Sequence, residues 1–129
     1  MATDLDDSGD IALSELQLDL MRVLWRGEAS VSEVAAELAV RRGLAHTTIA
    51  TVLTRLAKRG LVEARRDGRQ LVYRALVDES QVRRSMVGDL IQTLFRGDPQ
   101  ALLAHLVSEK EVASGDLDKV RALLAEKQP

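Results

Sequence analysis

The sequence predicts a mainly α fold with one small β-hairpin, and three observations lead there. Apolar residues recur at three- and four-residue spacing through most of the 129-residue chain, the period of helices that bury one face. Two such runs open with an S-x-x-Q or S-x-x-E capping box, at Ser14 and Ser30. One Asp67-Gly68 pair separates two short runs, the strongest short hairpin signal. Composition agrees. The chain is 46% hydrophobic and 29% charged, enough to fold around a core. Trp25, Tyr73 and Phe95 are its only aromatic residues, so Leu, Val and Ala must fill that core, which favours helices.

The elements follow in order. Residues 1–12 are polar, acidic and aperiodic, and read as a disordered arm. After Ser14, Leu16, Leu20, Val23 and Leu24 share one helical face, and Gly27 ends that helix. Val31, Val34, Ala35 and Leu38 make the second stripe, in a helix expected from Val31 to Arg42 and closed by Gly43. Ile49, Val52, Leu53 and Leu56 make the third, in a helix from about His46 to Gly60. The runs Leu61–Arg66 and Arg69–Leu76 form the hairpin. A long helix begins near Val77 and carries Val82, Met86, Leu90 and Leu94 in one row, with Val87, Ile91 and Phe95 beside them. Gly97-Asp98-Pro99 breaks it. Leu102, Leu103, Leu106 and Val107 mark a further helix, and Leu117, Val120, Leu123 and Leu124 a last one after Gly115.

Three short helices followed by a hairpin is the order of a winged helix-turn-helix domain. The expected organisation is an acidic arm over 1–12, a winged helix-turn-helix over 13–77, and a three-helix region over 78–129. The net charge of −2 argues against nucleic acid, but its distribution argues for it. Residues 1–10 carry four Asp and no base, whereas residues 41–74 carry nine Lys or Arg against Glu63 and Asp67. A local basic stretch is the electrostatic footprint of a DNA-binding face.

The third helix has the two faces a major groove requires. Its apolar stripe packs inward. His46, Thr47, Thr48, Ala50, Thr51 and Thr54 offer short side chains for close approach, and Arg55, Lys58 and Arg59 follow where the helix meets backbone phosphate. Arg65, Arg66 and Arg69 surround the hairpin tip, placed for a flanking phosphate or the minor groove. Each feature also has a plainer reading. A Thr-rich face also suits a solvated helix, and a basic hairpin suits a blunted edge strand. Trp25 reads as a core anchor and Tyr73 as the packing of the wing onto the helices. Their joint occurrence in winged-helix order favours double-stranded DNA.

Other classes are excluded or disfavoured. With no cysteine there is no disulfide, thiol catalysis or thiolate metal site. His46 and His105 are too far apart in sequence, and too few, to predict a metal site. No nucleophile–base pair or phosphate loop is present, so neither an enzyme nor a cofactor is expected. No apolar run approaches the ~20 residues that cross a bilayer. The first ten residues are acidic, unlike a signal peptide. The expectation is a soluble cytoplasmic protein with no membrane insertion. Two other readings share the pattern: a small-ligand-responsive MarR-type regulator, and a winged helix that binds an acidic protein partner.

Several runs resemble the penicillinase-repressor family (BlaI/MecI-like, with the CopY copper repressors as cousins). They are Leu18-Asp19-Leu20-Met21-Arg22-Val23-Leu24-Trp25, Ser32-Glu33-Val34, Leu44-Ala45-His46-Thr47-Thr48-Ile49-Ala50-Thr51-Val52-Leu53-Thr54-Arg55-Leu56, and Lys58-Arg59-Gly60-Leu61-Val62. The match is good over 13–77 and holds only in pattern beyond. The resemblance implies a homodimeric repressor on a palindromic operator, with genes such as β-lactam response genes under control. It implies a dimer core of Val82, Met86, Leu90, Ile91, Leu94, Phe95, Leu102, Leu103, Leu106, Leu117, Val120 and Leu124. Three apolar-striped helices also expose more apolar surface than a monomer normally tolerates. The resemblance further implies relief by a membrane-embedded sensor metalloprotease that cuts the dimerisation helices. The family's Asn-Phe cleavage motif corresponds here to His105-Leu106. A copper-sensing cysteine cluster is excluded.

Overall fold

The computed structural model describes residues 11–127. The acidic residues 1–10 of the expected arm lie outside the described residues. The elements are α1 (Glu15–Leu24), β1 (Ala29–Ser30), α2 (Val31–Leu38), α3 (His46–Lys58), β2 (Val62–Asp67), β3 (Gln70–Ala75), α4 (Glu79–Phe95), α5 (Pro99–Ser108) and α6 (Asp116–Lys127). Both expected capping boxes form. The Ser14 hydroxyl accepts from the Gln17 amide at 3.1 Å while Gln17 Oε1 accepts from the Ser14 amide at 3.0 Å. Ser30 and Glu33 repeat this at 3.2 and 2.8 Å. Each box satisfies two backbone donors that a helix start leaves open.

The hairpin is part of a three-stranded antiparallel sheet in the order β1-β3-β2. Asp67 pairs with Gln70, so Gly68 and Arg69 form the turn, one residue later than the Asp67-Gly68 pair suggested. Gly68 has φ +67° and Arg69 does not share that left-handed backbone, the pattern of a type II′ turn with glycine at its first central position. The third strand, β1, pairs Ala29 with Tyr73 and Ser30 with Val72. Two residues are too few to show alternation, so no sequence pattern announced it.

Helix α2 is shorter than expected. It ends at Leu38 rather than Arg42. The amides of Arg41, Arg42 and Gly43 all converge on the Leu38 carbonyl, at 3.1, 2.8 and 3.4 Å, and Gly43 takes φ +58°. Between Leu38 and Gly43 no side chain is buried, and Val40 is 95% exposed. A turn therefore replaces the last helical residues.

The chain divides into two compact units, one ending at Val87 and one beginning at Gly88. The first is built on Leu20, Met21 and Leu24 of α1, Val34 and Leu38 of α2, Ile49, Leu53 and Leu56 of α3, and Tyr73 of β3. The expected boundary after residue 77 falls too early. Val77 and Val82 are buried in this core, and Met86 packs against it. Ser85 is buried too, and its hydroxyl accepts the Ile11 amide at 2.8 Å. Ile11, assigned from sequence to the arm, is itself a core residue. Trp25 Nε1 donates to the Val77 carbonyl at 2.8 Å, tying α1 to the approach of α4. Asp78 and Gln81 cap α4 reciprocally, at 2.7 and 2.8 Å.

The second unit holds the end of α4 with α5 and α6. Gly97 (φ +83°) and Pro99 separate α4 from α5, and Asp98 caps α5 by accepting the Gln100 amide at 3.0 Å. Among the described residues, none in this unit is buried. No helix among the described residues is long and apolar enough to cross a membrane.

Candidate nucleic-acid interface

Helix α3 buries Ile49, Val52, Leu53 and Leu56 and turns Thr47, Thr48, Thr51, Thr54, Arg55 and Lys58 outward. Positions 47, 51, 54, 55 and 58 follow the i, i+4, i+7, i+8, i+11 spacing of one helical face. His46 is exposed at its start, Ala50 is half-buried beside the face, and Arg59 is half-buried at its C-cap. The Thr51 and Thr54 hydroxyls donate back to the carbonyls of Thr47 and Ala50, both at 2.9 Å. Their hydrogens are thus engaged, while their lone pairs remain open as acceptors. The N-cap is Ala45, which offers no side-chain acceptor to the first amides of the helix.

The basic residues divide into two groups. Arg41 and Arg42 are both tied to Asp19 on α1, whose single charge offsets part of theirs. Arg42 Nε donates to Asp19 Oδ2 at 2.7 Å, and Arg41 Nη1 and Arg22 Nη1 reach Oδ1 at 3.3 and 3.5 Å. Asp19 is 3% exposed. The hydrogen bond from Arg42 holds its carboxyl below the ordinary carboxylate range, outweighing the opposing effect of burial, and the neighbouring arginine charges add to it.

Arg65 is held by Glu28 in a two-point pair at 2.5 and 3.2 Å. That hydrogen bond lowers the Glu28 pKa and raises that of Arg65. Arg74 pairs with Glu63 at 2.7 Å. Among the described residues, no acid forms an ion pair with Arg55, Lys58, Arg59, Arg66 or Arg69. Arg65 and Arg66 point to opposite faces of β2 by strand alternation, which is why one meets Glu28 and the other does not.

Sequence reasoning missed Asp19, although a signal existed. It stands three residues after Leu16 and four before Val23, on the same face as the apolar stripe of α1. A carboxylate on a buried face requires charged partners. Glu28 and Glu63 had no such signal, since only strand pairing brings them to their arginines.

The residues expected in a dimer core separate likewise. Val82 is 2% exposed and serves the first unit, as Met86 does in part. Leu90, Leu94, Leu103, Leu117, Val120 and Leu124 are 40–64% exposed. Ile91, Phe95, Leu102 and Leu106 are half-buried. Phe95 and His105 pack ring to ring at 5.9 Å. The His105-Leu106 bond lies inside α5, and the His105 carbonyl accepts the Glu109 amide at 3.0 Å. Among the described residues no cluster of three or more His, Asp or Glu is placed to hold a metal ion.

Three helices, a small sheet and a hairpin with unpaired bases define a winged helix-turn-helix protein. The penicillinase repressor family model matches residues 13–126. The chain belongs to the penicillinase repressor family and is a transcriptional repressor of the BlaI/MecI type with a DNA-binding winged helix. It is 39% identical over 117 residues to the transcriptional regulator BlaI of Mycobacterium tuberculosis, covering 88% of this chain and 83% of the relative. The methicillin resistance regulatory protein MecI of Mammaliicoccus sciuri is 24% identical over 122 residues, covering 94% and 99%. Among solved structures, the DNA-binding domain of the repressor BlaI is similar at TM-score 0.50 and 33% identity, covering 55% of this chain and 88% of that one.

Proposed function

We propose that this repressor works as a homodimer on palindromic operator DNA, each protomer placing α3 in a major groove. The observation that carries it is the division of α3 into a buried apolar stripe and an exposed Thr/Arg/Lys face with no ion pair among the described residues. Thr51 and Thr54 act as acceptors, since their hydroxyl hydrogens are engaged. In the major groove that suits the N6 amino group of adenine or the N4 amino group of cytosine. His46, Thr47 and Thr48 enter the groove first, with Ala50 allowing close approach. Arg55, Lys58 and Arg59 meet phosphates along the helix, and Arg66 and Arg69 do so from the wing.

The exposed leucines and valines of α4, α5 and α6 support dimerisation, because a unit with no buried residue among those described gains a core when it packs against a second copy. Repression is by occupancy of two half-sites about one helical turn, or a multiple, apart. Separation of the dimer halves the contacts and releases the operator. The relatives' names point to antibiotic-response genes as targets, and the resemblance to relief by a membrane-embedded sensor metalloprotease. Cleavage at His105-Leu106 then requires α5 to unwind first, because its carbonyl is held in the helix.

The test is fluorescence anisotropy of the full chain on labelled fragments from its own promoter region, at several salt concentrations. Saturable binding of two chains to one palindromic fragment, far above competitor DNA, is expected. Weak, equal binding to every fragment would refute the proposal.

A further inference from the structure

We infer that Asp19 is a positioning residue for operator reading: from α1 it grips the turn between α2 and α3 and sets where the reading helix begins. The inference rests on the proposed DNA-reading role of α3. From residue 39 to residue 48 no side chain is buried. Apolar packing therefore does little to fix the segment that leads into α3; Leu44 alone packs partly against the core. What ties it down is polar. The amides of Arg41, Arg42 and Gly43 gather on the Leu38 carbonyl, and the Arg41 and Arg42 side chains gather on Asp19.

The Asp19 anchor is the charged one of the two tethers. Asp19 sits on the first-unit core between the buried Leu20 and the α1 stripe, is 3% exposed, and receives donors from three arginines. Charge-assisted bonds of this kind are shorter and stronger than neutral ones, and 2.7 Å to Arg42 Nε is at their short end. A carboxylate taken from water needs such donors, so the requirement is mutual. Arg42 lies four residues before His46, the first residue of α3. A shift of this turn moves His46, Thr47 and Thr48, the residues that enter the groove first, while leaving the wing untouched.

The same contacts have an electrostatic consequence. Arg41 and Arg42 stand beside the reading helix, and the single charge of Asp19 offsets part of theirs, so they add less sequence-independent attraction for phosphate than two unpaired arginines would. Asp19 thereby favours the right operator over DNA at large in two ways, by orientation and by withholding charge.

Asp19→Asn in the full chain separates these effects from mere loss of fold. The probes are a duplex selected by the wild-type protein from a random pool and an unselected random duplex of equal length. Affinity for the selected duplex should fall about tenfold, the equivalent of one base contact. Affinity for the random duplex should hold or rise, and its salt dependence should steepen by up to about 0.9 per freed arginine. A ratio of the two affinities equal to wild type, measured on folded protein, would overturn the inference. Arg42→Ala is the second variant, since Arg42 is partly exposed and Asp19 keeps two arginines. It should weaken binding to the selected duplex only; parallel loss on both duplexes with a flatter salt slope would make Arg42 a phosphate contact, and no loss on either would also overturn the inference. A third arm needs no DNA: the Arg42 and Gly43 amides should exchange faster in Asp19→Asn than in wild type. If wild type selects no preferred duplex, the reading role of α3 fails, and the exchange rates still decide whether Asp19 holds the turn.

Discussion

Replacing Arg66 by Ala should flatten the salt dependence of operator binding more than replacing Arg41 does, and the ion pairs set the size of both effects. Nine bases lie between residues 41 and 74, and four of them are held by acids within the chain: Arg41 and Arg42 by Asp19, Arg65 by Glu28, Arg74 by Glu63. Among the described residues this leaves five for phosphate. At about −0.9 in log affinity per log salt for each neutralised phosphate, five contacts cap the slope near −4.5 per protomer, against about −8 if all nine engaged. Arg66→Ala should remove about 0.9 of that slope per protomer. Arg41→Ala should flatten it by less, because the Asp19 carboxylate already offsets part of the cluster's charge. The assay is anisotropy of a labelled operator duplex between about 50 and 200 mM salt, where counterion release dominates the change. A wild-type slope well beyond the five-contact ceiling would refute the reasoning, for the internal pairs would then have to open on DNA. So would an Arg41→Ala slope flatter than that of Arg66→Ala.

Leu53→Ala removes a side chain with no exposed surface from beneath the reading face, and should cost about 2–5 kcal/mol in urea unfolding followed by circular dichroism. Ser30→Ala removes the cap of α2 and should cost about 1 kcal/mol in the same measurement. Asp19 should give stability a defined acid limb. Its folded pKa lies below the ordinary value of about 3.8, so its contribution is fully present above that pH and is lost as pH falls through the depressed folded value. The stability gap between wild type and Asp19→Asn should therefore close on acidification, and a gap that is constant below pH 3.8 would count against the ion cluster. A chain truncated after Val87 should melt cooperatively and bind the operator weakly for lack of a partner. One truncated after Leu76 should melt lower still, having lost Val77, Val82 and Ser85 from the core.

Much of the first unit was legible in the sequence because its signals are local. Ser14 and Ser30 announce helix starts through residues three positions away, and Ile49, Val52, Leu53 and Leu56 announce the buried side of α3 by spacing alone. Gly68 announces a hairpin because few other residues take its backbone conformation. The exposed side of α3 follows from the same periodicity, so it was visible together with the core. The end of α2 was not, since Arg41 and Arg42 look like the basic last turn of a longer helix until Asp19 claims them. The extent of the first unit was not visible either. Val82 belongs to the same apolar row as Leu90 and Leu94, and periodicity cannot tell which members of a row meet the chain's own core.

From its sequence alone this chain determined its helices, its hairpin and the family to which it belongs, since those rest on residues within a few positions of one another and on runs that can be matched by eye. The tertiary structure decided which charges are free. Asp19 and Arg42 are 23 residues apart, Glu28 and Arg65 are 37 apart, and Ile11 and Ser85 are 74 apart. Coulomb attraction and hydrogen bonding act over a few ångströms of space, whatever the distance along the chain. Of the nine basic residues between 41 and 74, four are therefore paired with acids of the chain and five have no ion pair among the described residues.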